Sequence, residues 1–242
     1  IVTLEGDPLL LQAIRETAGS NEVTKRMLSG ITRIAVIGDQ IYTEETPVED
    51  LENIVYQDGF NDGMVNGGIT DLSVLTNLPN LKEVFLCNQK ISDISPLQEL
   101  PIEGLYVCGN QIKDFSPVEK MQELSTLYLV DNPVGKMPQL SGCTKLTRLA
   151  LCGNDYGTLD FLQGSSVCNL YAMGIYVEDE SFGVLSTMQS LTELYTGSEQ
   201  KQFYEILPEL TELRTLSLWG GNFGTDLTIV SKLVNLQNLF VN

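Results

Sequence analysis

The residues of this chain best suited to chemistry are carboxylates, because its 242 residues include no histidine. Histidine is the usual general base, the orienting member of Ser-His-Asp triads and the commonest zinc ligand, so sites built on it are excluded. Asp71, Asp93 and Asp114 recur 22 and 21 residues apart, which is typical of turn and capping residues rather than of a catalytic pair. We therefore expect a protein that is not an enzyme, has no catalytic residues and takes no cofactor.

Cysteines and one glycine-rich loop are the remaining candidates for metal ligands. The cysteines are five in number and form no Cys-x-x-Cys pair, which argues against a zinc site and favours free thiols. The loop 57–68 is rich in oxygen ligands, but Phe60 and Ile69 stand where a calcium loop beginning at Asp58 needs oxygen ligands. We expect no bound metal. The cysteines are Cys87, Cys108, Cys143, Cys152 and Cys168.

Charge and hydropathy exclude two further classes of partner. The chain has 14 Lys and Arg against 32 Asp and Glu, and its formal net charge of −18 has the wrong sign for binding a phosphate backbone. No apolar run reaches the length of a transmembrane helix. With 43% hydrophobic and 19% charged residues, the chain has the composition of a folded protein. We expect neither a nucleic-acid partner nor membrane insertion.

A recurring L-x-x-L-x-L pattern indicates the elements that must position any functional residue. Its ten starts are 20 to 30 residues apart, and each copy is too short to bury its apolar side alone. The pattern predicts an α/β repeat solenoid of about ten stacked parallel strands, each followed by a turn and a compact return segment. The starts are Ile31, Leu51, Leu81, Ile102, Leu124, Leu146, Val167, Leu191, Leu213 and Leu236.

Amides at the ninth position of three repeats predict a structural ladder. Asn110, Asn132 and Asn154 follow their strands at the same distance, where a buried amide can satisfy backbone groups of the turn. Gln89 offers a partial substitute in the preceding repeat. We expect these four side chains to hold the turns together rather than to bind a ligand.

Three return segments are nearly one motif: residues 69–75 (ITDLSVL), 91–97 (ISDISPL) and 112–118 (IKDFSPV). Here the chain resembles the leucine-rich repeats of bacterial internalins, whose repeats of about 22 residues carry such a phrase. The resemblance implies a horseshoe with a parallel, concave sheet, an N-terminal helical cap over 1–30 and repeats over 31–242, which end without a C-terminal cap. It also implies a secreted or cell-surface bacterial binding module.

The predicted cap and the last repeat add two expectations. Asp7 can cap a helix, Pro8 suits its first turn, and the following residues are compatible with a helix up to Gly19. The last repeat, from Leu236, has no polar cap. We expect either a monomer or end-to-end contact through this uncapped repeat.

Positions three, five and seven of each strand point away from the core and build the concave surface. Position five is aromatic in six of ten repeats, and position seven is largely apolar. Exposed apolar bands of this kind usually mark interaction sites, in which Tyr and Trp dominate the binding energy. We therefore predict a surface for a protein or peptide ligand, with Arg148 and Glu193 at its polar rim. The proposed anchors are Phe85, Tyr106, Tyr128, Tyr171, Tyr195 and Trp219.

Three alternatives to this interpretation stay open. The aromatic side chains at position five could simply stabilise the sheet by cross-strand stacking. Exposed thiols favour a cytosolic or an anaerobic setting. A cytosolic setting would suit a cytoplasmic repeat scaffold that binds another protein with the same face, whereas an anaerobic bacterium would be compatible with surface display. Aromatic faces can also stack on sugar rings, which allows a carbohydrate-binding surface module.

Overall fold

The computed structural model describes residues 1–57, 65–197, 201–219 and 227–241. The chain folds as two compact units, Ile1–Lys136 (unit 1) and Met137–Asn242 (unit 2), which are described one after the other. None of the helices in these described ranges is long and apolar enough to cross a membrane.

Unit 1 begins with two helices, α1 (Pro8–Ala18) and α2 (Lys25–Gly30). The backbone N–H of Leu9 donates to Asp7 Oδ1 at 2.9 Å, and the chain leaves α1 through Gly19 at φ 65°. These contacts satisfy groups that a helix end leaves unpaired, and they confirm the predicted start and end of the helix. The role of residues 1–30 as a cap stays a prediction.

The sheet of unit 1 has four parallel strands and one antiparallel edge strand. β1 pairs with β3, β3 with β4 and β4 with β5, all parallel, so that the residues at position five lie side by side. β2 runs antiparallel along β1. The strands are β1 (Arg33–Ile37), β2 (Gln40–Tyr42), β3 (Glu83–Cys87), β4 (Gly104–Tyr106) and β5 (Thr126–Tyr128).

The repeat predicted to start at Leu51 is wrong. This segment is a helix, α3 (Val48–Gln57), with two acidic residues in its first turn. Leu51 and Val55 are both buried, and their spacing of four residues places them on one side of a helix, whereas a strand would put residues 51, 53 and 55 together. The predicted strand residue Val55 therefore belongs to a helix that lies between β2 and β3 in the chain. Most of the candidate calcium loop, 58–64, lies outside the described residues.

The recurring aspartates of unit 1 hold the turns into short 3-10 helices, as predicted. Asp71, Asp93 and Asp114 each accept the backbone N–H of the serine two residues later, at 2.8 Å in all three turns. Each carboxylate is engaged in its own turn, which confirms the predicted turn role of these aspartates. The 3-10 helices are Ser73–Asn77, Ser95–Leu97 and Ser116–Lys120.

The amide ladder is confirmed by its hydrogen bonds. Asn110 Oδ1 accepts the N–H of Ile91 at 3.1 Å, and its Nδ2 donates to the carbonyls of the turn. Asn132 repeats the arrangement with the N–H of Ile112. Gln89 accepts from Ile69 and donates to two carbonyls, so it replaces asparagine as expected. In unit 2, the buried Asn154 donates to the Leu151 carbonyl.

Unit 2 contains five parallel strands paired in the order β6, β8, β10, β11 and β12, and a small separate parallel pair, β7 and β9. Nine of the ten predicted repeat starts therefore precede a strand in the described residues. The elements are β6 (Arg148–Ala150), β7 (Asp155–Gly157), β8 (Asn169–Met173), β9 (Tyr176–Val177), β10 (Glu193–Gly197), α4 (Lys201–Ile206), β11 (Thr215–Leu218) and β12 (Asn238–Val241).

The core of each unit lies beneath one side of its strands. Leu105 and Leu127 at position four of unit 1, and Leu170 and Leu216 in unit 2, are fully buried, because stacked repeats enclose them. β12 differs, since all four of its residues are exposed, including Leu239 at the core position. End-to-end contact through this strand stays a prediction.

Candidate binding surface on the strand face

The strand face is defined here as positions three, five and seven of the strands, opposite the inward-facing leucines. In β8 and β10 of unit 2, burial alternates along the strand, as expected for a sheet with one wet side. In β4 and β5 of unit 1, every residue is buried, and β3 is buried in four of its five residues. The strand face is therefore buried along β3, β4 and β5 of unit 1 and open along β8 and β10 of unit 2, whereas every residue of β11 is buried.

The helix α3 supplies the cover that can be traced residue by residue. Leu51 and Val55 of this helix are buried, and the hydroxyl of Tyr106 donates to a carboxylate oxygen of Glu52 at 2.5 Å. Burial of the Tyr106 ring, followed by its bond to this carboxylate, raises the pKa of the Tyr106 hydroxyl far above its ordinary value. Tyr106 is thus held as a neutral donor beneath α3.

The three predicted anchors of unit 1 form one aromatic cluster. The rings of Phe85 and Tyr106 stack at 4.0 Å with an angle of 7°, and Tyr128 meets Tyr106 edge-on at 4.8 Å. All three side chains are at most 2% exposed, so the expectation that they form an exposed band is wrong. Cys87 and Cys108 at position seven are buried too, although the sequence predicts exposed thiols.

The predicted anchors of unit 2 are accessible. The rings of Tyr171 and Tyr195 stack at 4.5 Å with an angle of 13°, and both are half-buried. Glu193 Oε2 accepts from Asn169 Nδ2 at 3.0 Å and from the Tyr195 hydroxyl at 3.4 Å. Partial burial, the neighbouring Tyr171 and the Glu193 carboxylate raise the pKa of Tyr195 to about 12. Tyr195 therefore presents a neutral hydroxyl at any physiological pH.

Trp219, in the repeat that follows Tyr195, extends the accessible surface formed by Tyr171 and Tyr195. Its side chain is 48% exposed, and its indole N–H donates to Ser217 Oγ at 2.7 Å. A Cβ at Gly197 would lie 2.4 Å from the Trp219 carbonyl oxygen, so glycine is needed for the backbones to approach this closely. Phe240, at position five of β12, is 53% exposed in register with Ser217.

The polar rim lies along position three. Arg148, Asn169 and Glu193 are register partners on β6, β8 and β10, and all three are half-buried. The structure thus brings five of the predicted site residues together in unit 2 and places the other three in the covered cluster of unit 1. We define the open face as the stacked pair Tyr171 and Tyr195 with its exposed neighbours and rim. These additional members are Trp219, Phe240, Arg148 and Glu193.

Solved structures with the same strand and turn arrangement identify the fold. Internalin C2 from Listeria monocytogenes superposes with a TM-score of 0.69 at 20% identity, over 98% of this chain and 93% of that one. The fold is an internalin-like leucine-rich-repeat solenoid. Internalin F from the same bacterium superposes with a TM-score of 0.54 at 22% identity, over 98% of this chain and 82% of the internalin F chain. No protein-family model and no curated protein sequence matches the chain.

A plant receptor shares the same solenoid over part of its length. The ectodomain of the Arabidopsis thaliana receptor kinase GASSHO1/SCHENGEN3 was solved in complex with Casparian strip integrity factor 2. The superposed region comprises 74% of this chain and 23% of the receptor chain, with a TM-score of 0.51 at 20% sequence identity. These superpositions establish the predicted leucine-rich-repeat fold, while ligands have to be argued from the open face itself.

The internalin-like solenoid offers no clustered ligands for a metal in the residues described. No group of three or more Cys, Asp or Glu side chains is arranged there to hold an ion. None of the five cysteines forms a disulfide, as predicted, and Cys152 and Cys168 are partly exposed. What the open face can do chemically is to stack, to bury apolar surface and to exchange hydrogen bonds at its rim.

Two features of the solenoid escaped sequence reasoning. The cover by α3 depends on tertiary packing, although the pairing of Leu51 with Val55 and the acidic first turn at Glu49 and Asp50 are helix signals. Phe240 occupies position five of the last repeat, although it is not among the anchors that the sequence predicts. Its register with the preceding strand could have indicated it.

Proposed function

We propose that the chain is a non-enzymatic binding module that captures a protein or peptide ligand on the open face of unit 2. The observation that carries this proposal is the stacked, half-buried pair Tyr171 and Tyr195 beside the exposed Trp219. Large aromatic side chains dominate the binding energy of protein interfaces, and most of them are otherwise buried in a monomer. Their placement on an open sheet therefore supports a role in binding.

The extent of the open face favours a protein or peptide over a sugar. Position five runs from Tyr171 and Tyr195 past the buried Ser217 to the exposed Phe240, across four strands that span about 14 Å at the usual strand spacing. The aromatic centre is bordered by a polar rim at Arg148 and Glu193, which is the usual anatomy of a protein interface.

The proposal assigns ligand contact to the residues of the open face. Phe85, Tyr106 and Tyr128 are buried, so they would contact a ligand only after their cover moved away. In this structure they support the sheet by stacking across strands, which was the alternative interpretation for position five.

We place the module on the surface of a bacterial cell or in its secretions, because its solenoid superposes on internalin C2 over most of both chains. The alternative is an intracellular scaffold that binds another protein with the same face. The partly exposed thiols of Cys152 and Cys168 favour this alternative, since such groups persist in reducing compartments. Labelling of intact cells and their culture medium with a membrane-impermeant maleimide separates the two, because a surface-displayed or secreted chain is modified and an intracellular chain is not.

Photocrosslinking tests the proposed binding face. A photoreactive benzoylphenylalanine at position 171 is expected to capture a ligand protein, while the same group at position 176 is not. Tyr176 is the matched control because it is 71% exposed on β9, outside the sheet that carries the open face. Equal capture at both positions, or capture at position 176 alone, would refute the assignment to the open face.

A further inference from the structure

The chain itself shows what kind of element packs on its strand face. In unit 1 the associated element is α3, an amphipathic helix whose Leu51 and Val55 are buried. Its polar contact is the Glu52 carboxylate, which accepts the hydroxyl proton of Tyr106. The element that reaches the strand face of unit 1 at Tyr106 is therefore a short helix.

The stacked pair Phe85 and Tyr106, which α3 contacts through Tyr106, has a counterpart in unit 2. Phe85 and Tyr106 stack at position five of neighbouring parallel strands, and Tyr171 and Tyr195 do the same, with centroids 4.0 and 4.5 Å apart. The first pair is fully buried and the second is half-buried. The two units thus present the same stacked platform, once covered and once open.

Both platforms have a glutamate at position three, Glu83 in unit 1 and Glu193 in unit 2, but they differ in the carboxylate that accepts the tyrosine hydroxyl, and this difference specifies the sign of the occupant. In unit 1 the helix brings the carboxylate that meets the tyrosine hydroxyl. In unit 2 the chain supplies this carboxylate itself, as Glu193 beside Tyr195. A second carboxylate there would meet a like charge, whereas a lysine or arginine would meet an opposite one. Arg148 lies two strands away from Glu193, about 10 Å at the usual strand spacing.

We propose that the element bound by the open face is a basic amphipathic helix of the partner protein. Its apolar side would cover Tyr171 and Tyr195, and a lysine or arginine at its edge would pair with Glu193. The net charge of −18 favours the approach of such a helix over that of an acidic one. This inference rests on the proposed function and narrows it to one mode of recognition, a helix laid across an apolar surface.

Three synthetic peptides test this inference on the full chain. The first copies residues 48–57 as a hydrocarbon-stapled helix, with the apolar Leu51 and Val55 kept and Glu49→Lys, Asp50→Lys and Glu52→Lys introduced. The second is the stapled helix with the native acidic residues. The third is the basic peptide without a staple and with Asn53→Pro, which keeps the charge and breaks the helix.

The basic helix is expected to bind at least tenfold more tightly than either of the other peptides in fluorescence anisotropy titrations. Replacing Tyr171→Ala together with Tyr195→Ala should weaken its binding at least tenfold, whereas Tyr176→Ala should leave it unchanged. Glu193→Gln should reduce the preference for the basic over the acidic helix at least threefold. Circular dichroism melts of each variant establish that the fold is retained, and the single Tyr195→Ala variant serves if the double variant unfolds.

Three results would overturn the inference: equal binding of the Asn53→Pro peptide, equal binding of the acidic helix, or no binding of the basic helix. The proposed function fails on a different result. If a natural ligand depends on Tyr171 and Tyr195 but binds as an extended segment, the binding face stands and the helix is wrong. If no ligand depends on these tyrosines, the proposed function itself is wrong.

Discussion

The hydroxyl of Tyr106 donates a 2.5 Å hydrogen bond to the carboxylate of Glu52, which lies 54 residues earlier in the chain. The bond joins the strand face of unit 1 to α3, a helix that belongs to no repeat. It therefore marks the difference between the two units: one aromatic platform is covered from within the chain, and the other is open.

The Tyr106→Phe variant tests this bond. Because the ring is kept and only the hydroxyl is lost, we expect the free energy of unfolding to fall by about 1.5 kcal/mol, the lower end for a hydrogen bond to a charged group. Urea denaturation measures the change. Tyr176→Phe is the control, because Tyr176 is exposed and its hydroxyl is expected to contribute little to stability. A Tyr106→Phe variant as stable as the native chain would contradict the role of this bond.

Alkaline pH provides a second test of the same residue. Burial and the Glu52 carboxylate raise the pKa of Tyr106 in the folded state above the unfolded value of about 10. Above pH 10 the unfolded chain therefore releases a proton that the folded chain retains, and stability falls as the pH rises. The loss approaches about 1.4 kcal/mol per pH unit, while below pH 10 the contribution is fully present. Urea denaturation at pH 9, 10 and 11 should show a shallower decline for Tyr106→Phe, and parallel declines would contradict the shift.

Truncation of two equivalent tyrosines compares the covered and the open face. Tyr128→Ala removes a ring that is 1% exposed and should cost about 3–5 kcal/mol, as for other buried aromatic residues. Tyr195→Ala removes a half-buried ring and should cost less than about 1.5 kcal/mol. Thermal unfolding of both variants measures the difference. Equal losses would mean that the strand face is covered to the same degree in both units.

The amide ladder predicts a large effect from a small substitution. Asn132→Ala leaves the N–H of Ile112 and three turn carbonyls without this buried partner, and should cost roughly 2–3 kcal/mol. Asn80→Ala removes an exposed bond to Ser29 and should change stability by less than about 0.5 kcal/mol. Urea denaturation distinguishes them, and similar values for the two variants would show that the ladder contributes little.

The repeat spacing was sufficient to predict nine strands, the amide ladder and the aspartate turns, because each is encoded within one repeat and recurs in the next. The segment from Leu51 failed because its apolar residues at 51, 54 and 55 fit a helix better than the strand register imposed on it. No local pattern states that a helix contacts the strand face at Tyr106. A hint was nonetheless present, since an aromatic column flanked by Cys87 and Cys108 is more apolar than a wet sheet surface requires.

The most direct measurement is calorimetric titration of the ligand that crosslinks at position 171 into three proteins: the native chain, the Tyr171→Ala/Tyr195→Ala variant and the Tyr176→Ala control. We expect the double variant to lose at least 2 kcal/mol of binding free energy, roughly thirtyfold in affinity, while the control binds like the native chain. Unchanged affinity in a double variant that is still folded would contradict the claim that the open face of unit 2 is the binding surface.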